Sequence, residues 1–277
     1  MRFAARSFAR WPPLHYTDGV GRRARWLVSG VLAAGIALAA VLAGRGPPAA
    51  AQSTTEVFPY ESAVRYRVDG QPYRLYRWSI PLGRVSIDVV DMGMGTNLAR
   101  VLRDRHASLV INGGFYGRDM LPEGLVVTRG HEVSPFVERL GGGVVTLAGA
   151  VAAHHDAAGF SPIAGTEFAI QCKPRLVVDG AVNIARYQNR TAARTALCLR
   201  DGGRALDVYV ARVDPSRGRA GPALHTFARQ LVDEGCTEAL NLDGGPSTGV
   251  AWRSSRGTRA LNPRRGIRHA LVFTVTN

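Results

Sequence analysis

From Ala63 to the C-terminus the chain is a succession of short runs in which apolar and polar residues alternate or apolar residues cluster. AVRYRV, YRLYRWSI, VSIDVVDM, SLVING, GLVVTRG, GVVTLAG, PRLVVDGAV, TALCLRDG, ALDVYVAR, EALNLDGG and HALVFTV are of this kind. They are rich in β-branched residues and punctuated by Gly, Pro and Asp-Gly, so each is predicted to be a short strand. Two segments have helical spacing instead. One is Asn97–Arg103. The other runs from Pro222 to Glu234, with Leu224, Phe227, Ala228, Leu231 and Val232 on one face. It has Pro at its start and Gly235 after its end, as helix termini prefer. The pattern predicts an α+β fold, a β-rich single domain over residues 63–277 with mixed sheets and few helices. No Pro/Ser-rich linker divides this region, and residues 52–62 read as a linker or lead-in strand.

The N-terminal segment follows a different rule. Leu27 to Ala43 is an uncharged run of 17 residues, preceded by Arg22, Arg23 and Arg25 and followed by Pro47-Pro48-Ala49-Ala50-Ala51. A helix of that length spans roughly 25 Å, a little short of a bilayer core of about 30 Å. The basic flank, apolar core and small residues near Ala51 fit an export signal, and the arginines orient the remainder outward. Residues 1–51 are therefore expected to be a basic leader with a signal or membrane-anchor segment. The protein would be anchored facing the periplasm or outside, or secreted after cleavage.

Charge and cysteines refine this picture. The net charge of +14 invites a nucleic-acid reading, but seven arginines against Asp18 lie within residues 1–51. The basic residues are all arginine except Lys173, and no basic helix or aromatic-interleaved stripe gathers them. No nucleic-acid partner is expected. Three cysteines, Cys172, Cys198 and Cys236, permit one disulfide in an oxidising compartment. Cys172 and Cys198 both sit in strand-like runs and are the favoured pair, with three buried thiols as the alternative. No CxxC occurs.

An internal parallel points to a site. Each predicted helix is followed by a strand ending in a polar residue and two glycines: Ser108-Leu109-Val110-Ile111-Asn112-Gly113-Gly114 and Ala239-Leu240-Asn241-Leu242-Asp243-Gly244-Gly245. Such strand ends place a polar head at the mouth of a sheet, and glycines let backbone N–H groups approach a ligand closely. His154-His155-Asp156 invites a metal reading, but neighbours on a strand face opposite ways, and a surface loop is expected.

At Leu109–Tyr116 (LVINGGFY) and Ala239–Thr248 (ALNLDGGPST) the chain resembles the phosphodiester glycosidase family. Gly124-Leu125-Val126-Val127, Pro174–Gly180 and Ala193-Arg194-Thr195-Ala196 follow in the family's order. The resemblance covers roughly 60–277. Pro246 departs from it where a third glycine is usual, as does Cys198 where glycine is common.

The resemblance implies cleavage of a sugar C1–O–phosphate bond, giving a sugar and a phosphomonoester. Its substrate would be a phosphorylated glycan or sugar phosphodiester; membrane contact, read from the Leu27–Ala43 run, would come only through an uncleaved N-terminal segment. It calls for no cofactor and leaves metal dependence open. Arg194 is the candidate for the phosphate, because a guanidinium grips phosphate oxygens bidentately. Asp243 is the candidate base or nucleophile, since a carboxylate stabilises the positive charge that develops at C1. Asn112 would bond sugar hydroxyls or hold water. Gly113, Gly114, Gly244 and Gly245 would supply backbone donors, Ser247 and Thr195 hydroxyls, and Glu123 a second carboxylate. Two alternatives carry different chemistry. A non-catalytic module for anionic glycans would use the same residues. A phosphodiesterase breaking P–O would ordinarily require a two-metal cluster, which the sequence does not display.

Overall fold

A computed structural model describes residues 60–68, 71–187, 190–213 and 221–276, with side chains from residue 73 onward. The expected leader, 1–51, and most of the expected linker lie outside the described residues. Among the described residues no helix is long and apolar enough to cross a membrane.

The strands are β1 (Tyr60–Val68), β2 (Gln71–Pro81), β3 (Val85–Asp91), β4 (Leu109–Asn112), β5 (Val126–Thr128), β6 (His131–Ser134), β7 (Gly143–Ala148), β8 (Val151–Asp156) and β9 (Phe168–Cys172). They continue with β10 (Arg175–Val178), β11 (Ala181–Val182), β12 (Arg194–Arg200), β13 (Ala205–Arg212), β14 (Glu238–Asn241), β15 (Val250–Ser254), β16 (Gly257–Leu261) and β17 (His269–Val275). The helices are α1 (Leu98–Asp104) and α2 (Leu224–Asp233).

Three sheets result, with strand orders β1-β2-β13-β12-β14-β10-β11, β16-β15-β4-β17-β3 and β6-β5-β9-β7-β8. Every pairing among the described strands is antiparallel, which corrects the expected mixed sheets. The physical reason is connectivity. Consecutive neighbours such as β1-β2, β5-β6, β7-β8, β12-β13 and β15-β16 are joined by short turns, and the α2 crossover carries the chain from β13 past β12, so that β14 pairs with β12 in the opposite sense.

Period-2 alternation decides which side chains meet. Leu109 and Ile111 of β4, Leu197 and Leu199 of β12, Phe168 and Ile170 of β9 and Leu271 and Phe273 of β17 enter one central core bounded by all three sheets. The opposite faces are covered separately. Ala196, Cys198 and Tyr209 lie beneath Phe227, Ala228 and Leu231 of α2. Val110, Ala270 and Val272 lie beneath Leu98 and Leu102 of α1. Each helix is terminated as its sequence demands. Asn97 caps α1 by accepting the Arg100 N–H at 2.9 Å. Gly235, at φ +80°, closes α2 with its own N–H to Val232 and that of Cys236 to Leu231.

That closing turn delivers Cys236 to Cys198, and the disulfide joins these two rather than the expected Cys172 and Cys198. The correction follows from strand alternation. Cys198 points toward α2, whereas Cys172 enters the central core from another sheet and remains a buried thiol.

A second correction concerns His154 and His155. They belong to β8, not to a surface loop, although they do face opposite ways. His155 meets Thr146 at 3.0 Å, while the His154 side chain is buried with Nδ1 2.8 Å from Glu238 Oε2. Burial lowers the His154 pKa to about 4, so the ring is neutral at pH 7 and donates to the carboxylate from Nδ1. Glu238 also faces Arg175, whose Nη1 lies 2.8 Å from Asp156 Oδ2. This polar cluster ties the third sheet to the first.

The disulfide closes a chain separation of 38 residues. Its loss through Cys198→Ala/Cys236→Ala is expected to lower stability by about 3–4 kcal/mol in urea denaturation. Thiol titration of the unfolded, unreduced protein should find one free thiol. Peptide mapping should join Cys198 to Cys236, and a Cys172-containing bridge would refute the assignment.

Candidate active site

The two glycine motifs meet, because β4 and β14 end at the same edge of the central core. Asn112, the last residue of β4, is buried, and its amide makes four hydrogen bonds. Oδ1 accepts from Thr195 Oγ1 at 2.7 Å and from the Gly249 N–H at 3.1 Å. Nδ2 donates to the Asp243 carbonyl at 2.7 Å and to the Gly113 carbonyl at 3.1 Å. Two lone pairs and two N–H groups are thereby filled, which is all an amide has. The amide expected to meet sugar or water is here bonded wholly to protein groups. Thr195, fully buried, is absorbed by the same network.

The N–H groups of the four motif glycines are also hydrogen-bonded within the protein. The Gly113 N–H donates to the His269 carbonyl at 3.0 Å, and Gly114 N–H to His269 Nε2 at 3.0 Å. Gly244 N–H donates to Asp243 Oδ1 at 2.8 Å, and Gly245 N–H to the Ala193 carbonyl at 2.8 Å. Close packing is what requires glycine here. A methyl group at Gly113 would fall 2.3 Å from His269 Cδ2, and one at Gly244 would fall 2.9 Å from the Ala193 oxygen.

His269 opens β17 and is a site residue that sequence reasoning missed. Burial, and secondarily Arg268, lowers its pKa to about 4. It is therefore neutral, and accepting at Nε2 leaves the proton on Nδ1. No local motif marks it; only the pairing of β17 with β4 brings it to Gly114.

Beside this framework stand a few charged side chains. The Asp243 carboxylate is half-buried, and burial raises its pKa above the usual carboxylate range. Hydrogen bonds from Ser247 and the Gly244 N–H, and the charge of Arg265, oppose that rise. Ser247 is therefore a partner of Asp243, on the short 3-10 turn Gly245–Ser247. Arg194 donates from Nε to the Pro222 carbonyl at 3.2 Å and from Nη2 to the Arg190 carbonyl at 2.7 Å. Its Nη1 makes no internal hydrogen bond among the described residues, and a methyl group on Gly244 would lie 3.8 Å from it. Burial, then Arg190, lowers the Arg194 pKa to about 10, which leaves it cationic at neutral pH. Arg265, the second missed residue, reaches the site because its backbone N–H donates to the Pro246 carbonyl at 3.2 Å. Neither arginine forms an ion pair with Asp243 among the described residues. Glu123 is exposed on the loop after Gly114, anchored by its backbone N–H to the Phe115 carbonyl, and its carboxylate is not brought to Asp243 by any hydrogen bond or ion pair.

Cys172 lies beneath the site. Burial pushes its thiol up to about 12, the Asp243 charge adds to that, and backbone N–H groups of Lys173 and Phe115 oppose it. It stays a thiol. Among the described residues no three His, Cys, Asp or Glu side chains gather as metal ligands.

The two Gly-Gly strand ends thus bring together the Asp243 carboxylate, the charge of Arg265 and, beside Gly244, the Arg194 guanidinium. A family model described as phosphodiester glycosidase matches residues 105–274. The chain belongs to the phosphodiester glycosidase family. Solved structures share the fold at low identity. The catalytic domain of zebrafish N-acetylglucosamine-1-phosphodiester alpha-N-acetylglucosaminidase, auto-inhibited by its pro-peptide, matches with a TM-score of 0.62 and 15% identity over 81% of this chain and 85% of that one. A hypothetical protein from Synechocystis matches with a TM-score of 0.54 and 17% identity, over 78% of this chain and 61% of that one. A candidate exported protein of Burkholderia pseudomallei K96243 matches with a TM-score of 0.53 and 12% identity, over 73% and 74%. No curated protein sequence matches the chain.

Asn112→Leu keeps side-chain volume but strands the Thr195 hydroxyl, the Gly249 N–H and the Asp243 and Gly113 carbonyls. A loss of about 3 kcal/mol or more in urea denaturation is expected. Thr195→Val, which strands one acceptor, should cost about 1–2 kcal/mol. Wild-type stability in Asn112→Leu would show that the amide does not hold the strand ends together.

Proposed function

We propose that the protein is an exported hydrolase that cleaves the sugar C1–O bond of glycosyl phosphodiesters, releasing a sugar and a phosphomonoester. The observation that carries this reading is the Asp243 carboxylate, which feels the charge of Arg265 without an ion pair to it, with the Arg194 guanidinium beside the next residue, Gly244. Two guanidinium groups exceed the charge of one carboxylate, so the site attracts a phosphodiester monoanion. Nη1 of Arg194, without an internal partner among the described residues, donates to a phosphate oxygen while its other nitrogens hold the group in place.

The remaining chemistry follows from the leaving group. As the C1–O bond breaks, positive charge builds at C1 and electrons pass to the phosphate oxygen. Arg194 and Arg265 stabilise that anion, so a strong general acid is less necessary than for an ordinary glycoside. Asp243 stabilises C1 or takes a proton from attacking water. Its raised pKa makes it a better base than a solvated aspartate, and Ser247 holds the carboxylate in orientation. Asn112 acts at one remove, fixing the Asp243 backbone. The Cys198–Cys236 disulfide supports export to an oxidising compartment. A P–O-cleaving two-metal route finds no ligand cluster to support it among the described residues. A binding module would share the affinity but not the turnover.

The test is the purified protein against a panel of sugar-1-phosphodiesters. Asp243→Asn should lower kcat by about 1000-fold or more while ligand affinity changes little. Full turnover in that variant would remove Asp243 from catalysis. The same variant should be at least as stable as the parent at neutral pH. The folded-state pKa is raised, so ionisation at pH 7 opposes folding, and the difference should vanish below the unfolded pKa of about 3.9. The acid limb of kcat/KM should report the same group. Ser247→Ala removes a hydrogen bond that favours the carboxylate, so that limb should move to higher pH; a shift to lower pH would contradict the assignment.

A further inference from the structure

Arg194 is not the only guanidinium near the Asp243 loop held by backbone carbonyls. Arg212, the last residue of β13, is half-buried and donates from Nη1 to the carbonyls of Leu261 at 3.0 Å, Asn262 at 2.9 Å and Thr248 at 3.4 Å. Its Nε and Nη2 have no internal partner among the described residues. Strand register sets the geometry. Arg194 pairs with Ala211, so Arg212 stands at the same end of the sheet, and alternation sends it to the opposite face from Arg194. The Asp243–Thr248 loop runs past both, since Gly245 N–H reaches the Ala193 carbonyl and the Thr248 carbonyl faces Arg212.

Each of the two is backed by another arginine. Arg190 lies against Arg194, and Arg264 is close enough to Arg212 to lower its pKa, after burial itself. Arg264 is tied to the same loop through its backbone N–H, which donates to the Pro246 carbonyl at 2.8 Å. None of the four has a carboxylate partner among the described residues, whereas Arg77, Arg129, Arg175, Arg200 and Arg268 each have one. Holding an unpaired guanidinium half-buried between neutral carbonyls costs solvation, and an anionic ligand is what offsets that cost.

We infer that Arg212 and Arg264 form a second anion-binding position beside the Asp243 site, and that the natural substrate is a polyanion: a glycosyl phosphodiester whose phosphate-linked portion carries a further phosphate or carboxylate. The inference rests on the glycosyl phosphodiester reading for the reaction, but the second position can be measured without turnover. One scaffold with one or two anionic groups serves as the probe.

Calorimetric titration of the full protein should show propane-1,3-diyl bisphosphate binding about tenfold more tightly than propyl phosphate. That margin should shrink as salt is raised. Arg264→Gln, at an exposed side chain, should cut it about fivefold and Arg264→Lys should restore part of it. Arg212→Gln should abolish it if the variant folds. Arg256→Gln, on the hairpin turn between β15 and β16, should leave it intact. The probe 3-phosphonooxypropanoate identifies the second group: affinity matching the bisphosphate points to an acidic glycan, and affinity matching propyl phosphate points to a phosphodiester polymer. Equal binding of propyl phosphate and the bisphosphate, or a margin untouched by Arg264→Gln, would overturn the inference. The two readings fail separately. A binding margin without hydrolysis of any glycosyl phosphodiester sinks the reaction and keeps the anion position. Hydrolysis without a margin does the reverse.

Discussion

The saturated amide of Asn112 is the constraint on which the rest of the site depends. Its side chain reaches Thr195 on β12, the Asp243 carbonyl after β14 and the Gly249 N–H before β15, so it joins the first sheet to the second where both end. An apolar side chain there would leave buried donors and acceptors with no water to take them. An aspartate would lack the two donors. The choice of asparagine is thus dictated by backbone groups on other strands, and it fixes the peptide that presents the Asp243 carboxylate.

Given that framework, the groups proposed to act are few and held by hydrogen bonds. Asp243 is kept from an ion pair, so it retains basicity that a neutralised carboxylate would lose. Arg194 and Arg212 are held by carbonyls rather than by acids among the described residues, so in the proposed reading their positive charge meets a ligand uncancelled. Such preorganisation places cost in folding and gain in the bound state. The disulfide and the α2 closing turn stabilise the strands that carry these groups. The buried His154–Glu238 contact fastens the third sheet at the far end of β14.

Much of the fold was legible because period-2 alternation is local. Most of the runs read as strands are strands, and Pro222 and Gly235 bracket α2 within two residues. Sheet composition was not legible. Parallel or antiparallel pairing depends on which strand the chain passes over, and the α2 crossover conceals that. The disulfide was misassigned because Cys198 could be placed on a strand but not on a face. At the site the motif residues were legible, but their hydrogen-bond partners were not. The sequence shows that Asn112 and four glycines stand at strand ends; it does not show that His269, Ala193 and Gly249 already occupy their hydrogen bonds. His269, Arg265 and Arg212 were missed because they are brought in by strand pairing from other parts of the chain, with no local spacing to announce them.

The central claim concerns which bond breaks at Asp243. Hydrolysis of a sugar-1-phosphodiester in water enriched with heavy oxygen tests it most directly, read by mass spectrometry of both products. Attack at C1 puts the label in the sugar and leaves the released phosphomonoester unlabelled. Label in the phosphomonoester would mean cleavage of P–O, and would contradict the account.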